Sequence, residues 1–210
     1  MTNKTIDQIK TICKKVGTKL IHMYNQGSSE QLIFPNYRTG NIRISEQEAR
    51  FLFANEITKQ TKLHYAIEVP TQNRYSDFST KPIVYDENTK GGRSGAIDLS
   101  LYNKNTDPIP VANIEFKNGQ PKQSSITKDL LKLAYEPQEI GVFFHILENS
   151  NKNTIDSLLN KINNSILKIT KYKNDQFYLF IVILKKKTCF EYLANFNNNK
   201  IGGNDLIPII

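Results

Sequence analysis

Two stretches, Ala96-Ile97-Asp98-Leu99-Ser100-Leu101 and Val111-Ala112-Asn113-Ile114-Glu115-Phe116-Lys117, decide how this chain folds. Both alternate apolar and polar residues with a period of two. Successive side chains on a β-strand point to opposite faces, so the alternation reads as two strands. Ile97, Leu99 and Leu101 share one face of the first, and Ala96, Asp98 and Ser100 the other. In the second, Ala112, Ile114 and Phe116 face one way, and Val111, Asn113, Glu115 and Lys117 the other. Asn103 to Pro110 is polar, carries two prolines and reads as the turn between them. An Asp and a Glu-x-Lys therefore arise on consecutive strands.

Working outward, Ser124 to Glu136 reads as a helix, capped by Ser124 or Ser125 and stopped at Pro137. Gly141 to Leu147 is an apolar run of strand length and belongs inside a sheet. Thr154 to Lys168 spaces Ile155, Leu158, Leu159, Ile162, Ile166 and Leu167 as the inward face of a further helix. Gln176 to Leu184 and a weaker segment, Phe190 to Leu193, complete the strands on this side, separated by Lys185-Lys186-Lys187.

Upstream, Leu63 to Val69 reads as a strand closed by Pro70. Residues 71–95 form either a functional loop or a small hairpin, ending in Gly91-Gly92-Arg93-Ser94-Gly95. Ser45-Glu46-Gln47-Glu48 has the form of a capping box. In it the Ser45 hydroxyl accepts from the Glu48 N–H and Glu48 reaches back, opening a helix with the stripe Ala49, Leu52, Phe53 and Ile57. Residues 5–25 place Ile6, Ile9, Ile12, Val16, Leu20 and Met23 on one helical face, with lysines outside and Gly27-Ser28-Ser29 as the stop. The order predicts an α/β fold: a mixed central sheet flanked by helices.

The chain of 210 residues is long enough for one core and short for two. Residues 1–210 are read as one domain: a helical extension over 1–44, a core over 45–147, and a helix and strands over 148–210 that complete the sheet. The formal charge is +8 at neutral pH, which favours a polyanionic partner. Cys13 and Cys189 stand far apart and fit no ligand spacing, so neither a structural zinc nor a disulfide framework is expected. The N-terminus has no apolar signal core, and no stretch approaches the roughly 20 apolar residues that span a bilayer. A cytoplasmic protein with no membrane partner is the expectation.

Charged side chains on one sheet face need a reason, because a buried charge costs several kcal/mol unless paired or bound to metal. The alternatives are a Lys–carboxylate pair of purely structural value, or a solvated surface. The acid-x-Lys spacing alone is what a Lys-rich chain gives by chance, and it occurs once, at Glu115-Phe116-Lys117. Its weight comes from its place, at a strand end, one strand after Asp98 and just before a helix.

In that order the chain resembles the PD-(D/E)XK nucleases, the restriction-endonuclease-like superfamily. The matching stretches are Ser94 to Ser100 and Ala112 to Gly119, and the helix–strand–strand–strand–helix–strand order of the family falls on residues 45–147, about half the chain. Ile97 stands where the family name has Pro. The resemblance implies a restriction-endonuclease-like core and a metal-dependent nuclease. Asp98 and Glu115 would ligate Mg²⁺ or Mn²⁺, with the backbone carbonyl of Phe116 a further ligand. Hard divalent cations prefer such oxygen donors. Lys117 would orient or deprotonate the attacking water and stabilise transition-state charge. A Glu from the preceding helix often joins the metal, with Glu48 preferred here over Glu56. Arg93 and Lys128 are the candidate phosphate contacts, and Gln123 lies near the same helix. The Gly91-Gly92 loop is no phosphate-binding fingerprint, since no GK[ST] follows. His145 belongs to the core. The resemblance and the charge point to DNA, and to a bacterial or phage defence or restriction effector, working as a homodimer or with a partner protein of such a system. A ribonuclease and a catalytically silent nucleic-acid-binding or scaffold subunit stay open as alternatives.

Overall fold

The computed structural model describes residues 3–26, 32–85, 90–104, 106–197 and 200–209. The elements run α1 (Asn3–Gln26), α2 (Glu46–Gln60), β1 (His64–Ser76), β2 (Ile83–Tyr85), β3 (Arg93–Tyr102), β4 (Ala112–Asn118), α3 (Gln123–Tyr135), β5 (Ile140–Leu147), α4 (Lys152–Lys168), β6 (Gln176–Ile183), β7 (Thr188–Asn195) and β8 (Ile207–Pro208). A short 3₁₀ turn, Gly203–Asp205, precedes β8. The strands form one eight-stranded sheet in the order β2-β1-β3-β4-β5-β6-β7-β8. β4-β5-β6 are parallel and the remaining pairs antiparallel. The fold is α/β with a mixed sheet flanked by helices, as the alternation predicts.

Each sheet face carries its own core. Leu99, Leu101, Ala112, Ile114, Phe116, Val142, Phe144 and Ile146 pack beneath α1 and α2, against residues such as Val16, Leu20, Leu52 and Phe53. Phe53 meets Phe116 edge-on at 5.6 Å between ring centroids, a geometry that suits the ring quadrupoles. On the opposite face Phe143, Leu147, Leu179 and Ile181 pack beneath α3 and α4, against Leu130, Leu133, Leu158 and Ile162. Two successive parallel crossovers, β4-α3-β5 and β5-α4-β6, step in the same direction. With the usual right-handed sense, both helices land on one side. β5 is buried along its whole length because both of its faces are covered.

Several local readings are corrected. β1 does not close at Pro70. It continues to Ser76 after an irregularity in which Pro70 to Arg74 spans only Ala96 to Ser94 of β3. A proline is tolerated at such a bulge, where no ladder donor is required. Residues 71–95 accordingly hold a hairpin, β2 pairing with the end of β1. Glu136 fixes the bulge: its buried carboxylate accepts from the backbone N–H groups of Gln72 (2.8 Å) and Asn73 (3.0 Å), and from the Tyr75 hydroxyl.

The Ser45 box closes differently. Ser45 Oγ accepts from the Gln47 N–H at 3.4 Å and donates to Glu48 Oε2 at 2.5 Å, so the two side chains bond to each other. α3 starts one residue before Ser124, with Lys122 in the capping position and no side-chain cap. α4 is capped by Asn151, whose side chain accepts from the Thr154 N–H at 2.8 Å. Leu167 points outward at 77% exposure, because the turn that buries Ile162 and Ile166 carries it past the sheet. The Gly27-Ser28-Ser29 stop lies outside the described residues. Among those residues no helix is long and apolar enough to cross a membrane.

Candidate active site

The β3–β4 ladder carries Leu101↔Ala112, Ser100↔Asn113 and Leu99↔Ile114, and stops there. The next residues in the same register are Asp98 and Glu115. The Phe116 N–H donates to Asp98 Oδ2 at 2.8 Å, so the carboxylate takes up a strand donor just beyond the ladder. Deeper on this face, Ser100 Oγ donates to Asn113 Oδ1 at 2.6 Å, which satisfies two buried polar groups without a charge. Asp98, Glu115 and Lys117 thus lie on one face at one end of the two strands, the α3 face.

α3 adds a carboxylate and a cation at consecutive helical contacts. Lys132 Nζ stands 2.6 Å from Glu115 Oε1 and 3.1 Å from Asp129 Oδ1, and donates to the Ala96 carbonyl at 2.8 Å. Lys117 Nζ lies 2.8 Å from Asp129 Oδ2, donates to the Phe116 carbonyl at 3.1 Å, and is 3.8 Å from Glu46 Oε1. From α2, Arg50 bridges Asp98 Oδ1 at 2.8 Å and Glu68 Oε1. Glu68 takes a left-handed backbone conformation, φ 54°, which is costly for a residue with a side chain.

Electrostatics follow from this crowding. Burial pushes the Glu115 carboxyl well above the usual carboxylate range. Lys132 opposes that rise, while Asp129 and Asp98 add to it. Oε1 of Glu115 and Oδ2 of Asp129 are buried with ammonium groups beside them yet without a well-directed hydrogen bond, so charge neutralisation rather than donation holds them. For Lys132 burial pulls the ammonium down, and Glu115 and Asp129 more than offset it. Lys117 is likewise raised, burial being outweighed by Asp129 and Glu46. Burial also raises Glu46, against the pull of Lys117.

The predicted site residues fall into two groups. Asp98, Glu115, Lys117 and the Phe116 carbonyl come together. Glu48 is held by Ser45, and Glu56 pairs with Lys19 of α1 at 2.9 Å. The α2 carboxylate beside Lys117 is Glu46, which shares a helix face with Arg50. A helix turns about 100° per residue, which sets Glu48 about 200° round from Glu46. Gln123 ties α3 to α4 through Ser165 Oγ at 2.7 Å. Lys128 and Arg93 are exposed, on α3 and at the start of β3. His145 is buried beside Lys117 in the β4–β5 register, with Nε2 2.9 Å from the Gly119 carbonyl. Arg50, Asp129, Lys132, Glu46 and Glu68 were not singled out from sequence. One signal was present for α3: Asp129 and Lys132, three apart, each sit beside an inward apolar position, Leu130 and Leu133.

The donor set suits a hard cation in kind, since carboxylates and a carbonyl are oxygen ligands. Among the described residues no three Asp, Glu, His or Cys side chains close into a metal cage; Arg50 and Lys132 stand between the carboxylates. Mg²⁺ does not require such a cage, because it binds through one or two carboxylates and keeps several waters. No family model, curated protein or solved structure matches the chain.

Proposed function

We propose that this chain is a Mg²⁺-dependent nuclease with a restriction-endonuclease-like core, hydrolysing phosphodiester bonds in DNA. The observation that carries the reading is the convergence of Asp98, Glu115 and Lys117 on one sheet face just past the end of the β3–β4 ladder. Placing carboxylates in so buried a spot is costly unless a cation uses them. The net charge of +8 supports a polyanionic substrate. A role in bacterial or phage defence rests on the resemblance alone.

A divalent cation bound at Asp98 and Glu115, with the Phe116 carbonyl beside them, would supply Lewis-acid neutralisation of the phosphate and a more acidic water. The remaining chemistry belongs to the side chains. Lys117, raised by its carboxylate neighbours, is an ammonium at neutral pH. It therefore donates to and orients the attacking water, and it stabilises the charge that develops on phosphorus oxygens, rather than removing a proton. Asp129 holds the ammonium in place by charge, with Oδ2 2.8 Å from Nζ. Arg50, released from Asp98, becomes a donor for a substrate phosphate, to which its guanidinium is matched.

Incubation of supercoiled plasmid with the protein and Mg²⁺ tests the reading. The wild-type chain nicks or linearises it, a chelator stops the reaction, and Asp98→Ala and Lys117→Ala lower the rate by about two orders of magnitude or more. Cleavage undiminished in both variants would refute the site. A parallel panel of single- and double-stranded DNA and RNA separates a deoxyribonuclease from a ribonuclease.

One observation favours a second reading, a nucleic-acid-binding or scaffold subunit without turnover. Arg50 and Lys132 already neutralise Asp98 and Glu115. Salt-sensitive binding that is indifferent to Mg²⁺, with no cleavage, is its signature.

A further inference from the structure

Lys132 is the most deeply placed cation of the site, with a side chain only 3% exposed. Three groups on three elements hold its ammonium: Glu115 on β4, Asp129 on α3 and the Ala96 carbonyl on β3. Its stem passes over Gly95, where an added Cβ would lie 3.4 Å from Lys132 Cδ. By contrast, Arg50 is shared with Glu68, whose side chain is 57% exposed.

In hydrolytic sites that work with two metal ions, a second cation sits a few ångströms from the first and is held by additional carboxylates. Here the space between Glu115 and Asp129, the two most buried carboxylates of the site, is filled by an ammonium. With every group ionised, Glu46, Glu68, Asp98, Glu115 and Asp129 face Arg50, Lys117 and Lys132, a formal excess of two negative charges. One divalent cation balances that excess, and loss of the Lys132 charge raises it to three, which leaves negative charge for a second ion.

We infer that Lys132 is a built-in cation standing in the place of a second metal ion, so that the site binds a single divalent cation. The inference rests on the proposed nuclease reading. Lys132 is a positioning residue in this scheme: it sets the charge and the place of Glu115 without touching substrate.

Isothermal titration of the full chain with Mn²⁺ measures the stoichiometry directly, and thermal melting with and without Mn²⁺ gives a second readout. The wild-type chain takes up one Mn²⁺. Lys132→Met, which keeps the stem and removes the charge, takes up two, and its melting temperature rises on adding Mn²⁺ by more than that of the wild type. Two ions on the wild-type chain would overturn the inference and leave the nuclease reading standing. A folded Lys132→Met chain that still binds one ion, with no larger thermal shift, would overturn it as well. If the variant does not fold, the wild-type stoichiometry decides. No Mn²⁺ bound by a folded wild-type chain would remove the nuclease reading itself.

Discussion

His145 offers a quantitative test of how tightly the floor of the site is built. The ring is fully buried on β5, next to Lys117 in register, and its Nε2 meets the carbonyl of Gly119 in the turn that follows β4. Burial pushes the imidazolium down to about 4, helped by the Lys117 and Lys161 charges and opposed by the Gly119 carbonyl. The folded chain therefore keeps His145 neutral where the unfolded chain, titrating near 6.5, takes up a proton. Stability contributed by the neutral ring is complete above the unfolded value and is lost as pH falls from about 6.5 towards 4. One extra proton on the unfolded side is worth about 1.4 kcal/mol per pH unit. Between pH 7.5 and pH 5 the loss is then about 2 kcal/mol, and about 3 kcal/mol once the pH reaches 4. His145→Gln removes the titration while leaving an amide in reach of Gly119. Urea unfolding of both proteins at pH 7.5, 6, 5 and 4.5 measures the difference. The variant starts less stable, because packing is lost, but its stability falls more slowly with acid. The difference between the two proteins narrows by about 2 kcal/mol from pH 7.5 to 5. Parallel pH dependences would refute the argument, since His145 would then be titrating equally in both states.

Two further outcomes follow from the same geometry. Asp129→Asn removes the carboxylate that pairs with Lys117 and raises its ammonium. On the proposed reading, cleavage falls by about 10²-fold or more, and the alkaline limb of the pH–rate profile moves to lower pH. An unchanged profile would reduce Asp129 to a structural ion pair. Glu136→Gln turns one acceptor oxygen towards donors from Gln72, Asn73 and Tyr75. A loss of about 3 kcal/mol in urea unfolding is expected from breaking charge-assisted bonds in a buried place, and a loss below about 1 kcal/mol would show that the bulge of β1 holds without that carboxylate.

Much of the sheet was legible because its signal is local. Alternation in Ala96 to Leu101 and Val111 to Lys117 fixes which residues share a face, whatever else the chain does. The apolar runs 141–147 and 176–184 mark central strands for the same reason. Legibility failed where a long-range partner overrides a local rule. Pro70 reads as a stop, yet Glu136, distant in sequence, receives the donors of the bulge beyond it and lets β1 run on to Ser76. Ser45 and Glu48 have the spacing of a reciprocal cap, but the hydroxyl bonds to the carboxylate directly. Glu48 as the helix carboxylate rests on the resemblance alone, and the cap spacing already accounts for that residue by itself. The helix face that meets the strand ends is instead that of Glu46 and Arg50, and it is set by how Phe53 packs on Phe116.

The sequence by itself determined the α/β class, the faces of β3 and β4, and therefore that Asp98, Glu115 and Lys117 project together. Those follow from a two-residue period and need no knowledge of the rest of the chain. Only the tertiary structure decided what surrounds them. Arg50 reaches Asp98, Asp129 reaches Lys117, and Lys132 fills the space beside Glu115 because α2 and α3 pack at fixed positions on opposite faces of the sheet. The physical reason is that charge in a buried site must be balanced within a few ångströms, and which side chains come that close is a property of packing that no spacing along the chain encodes.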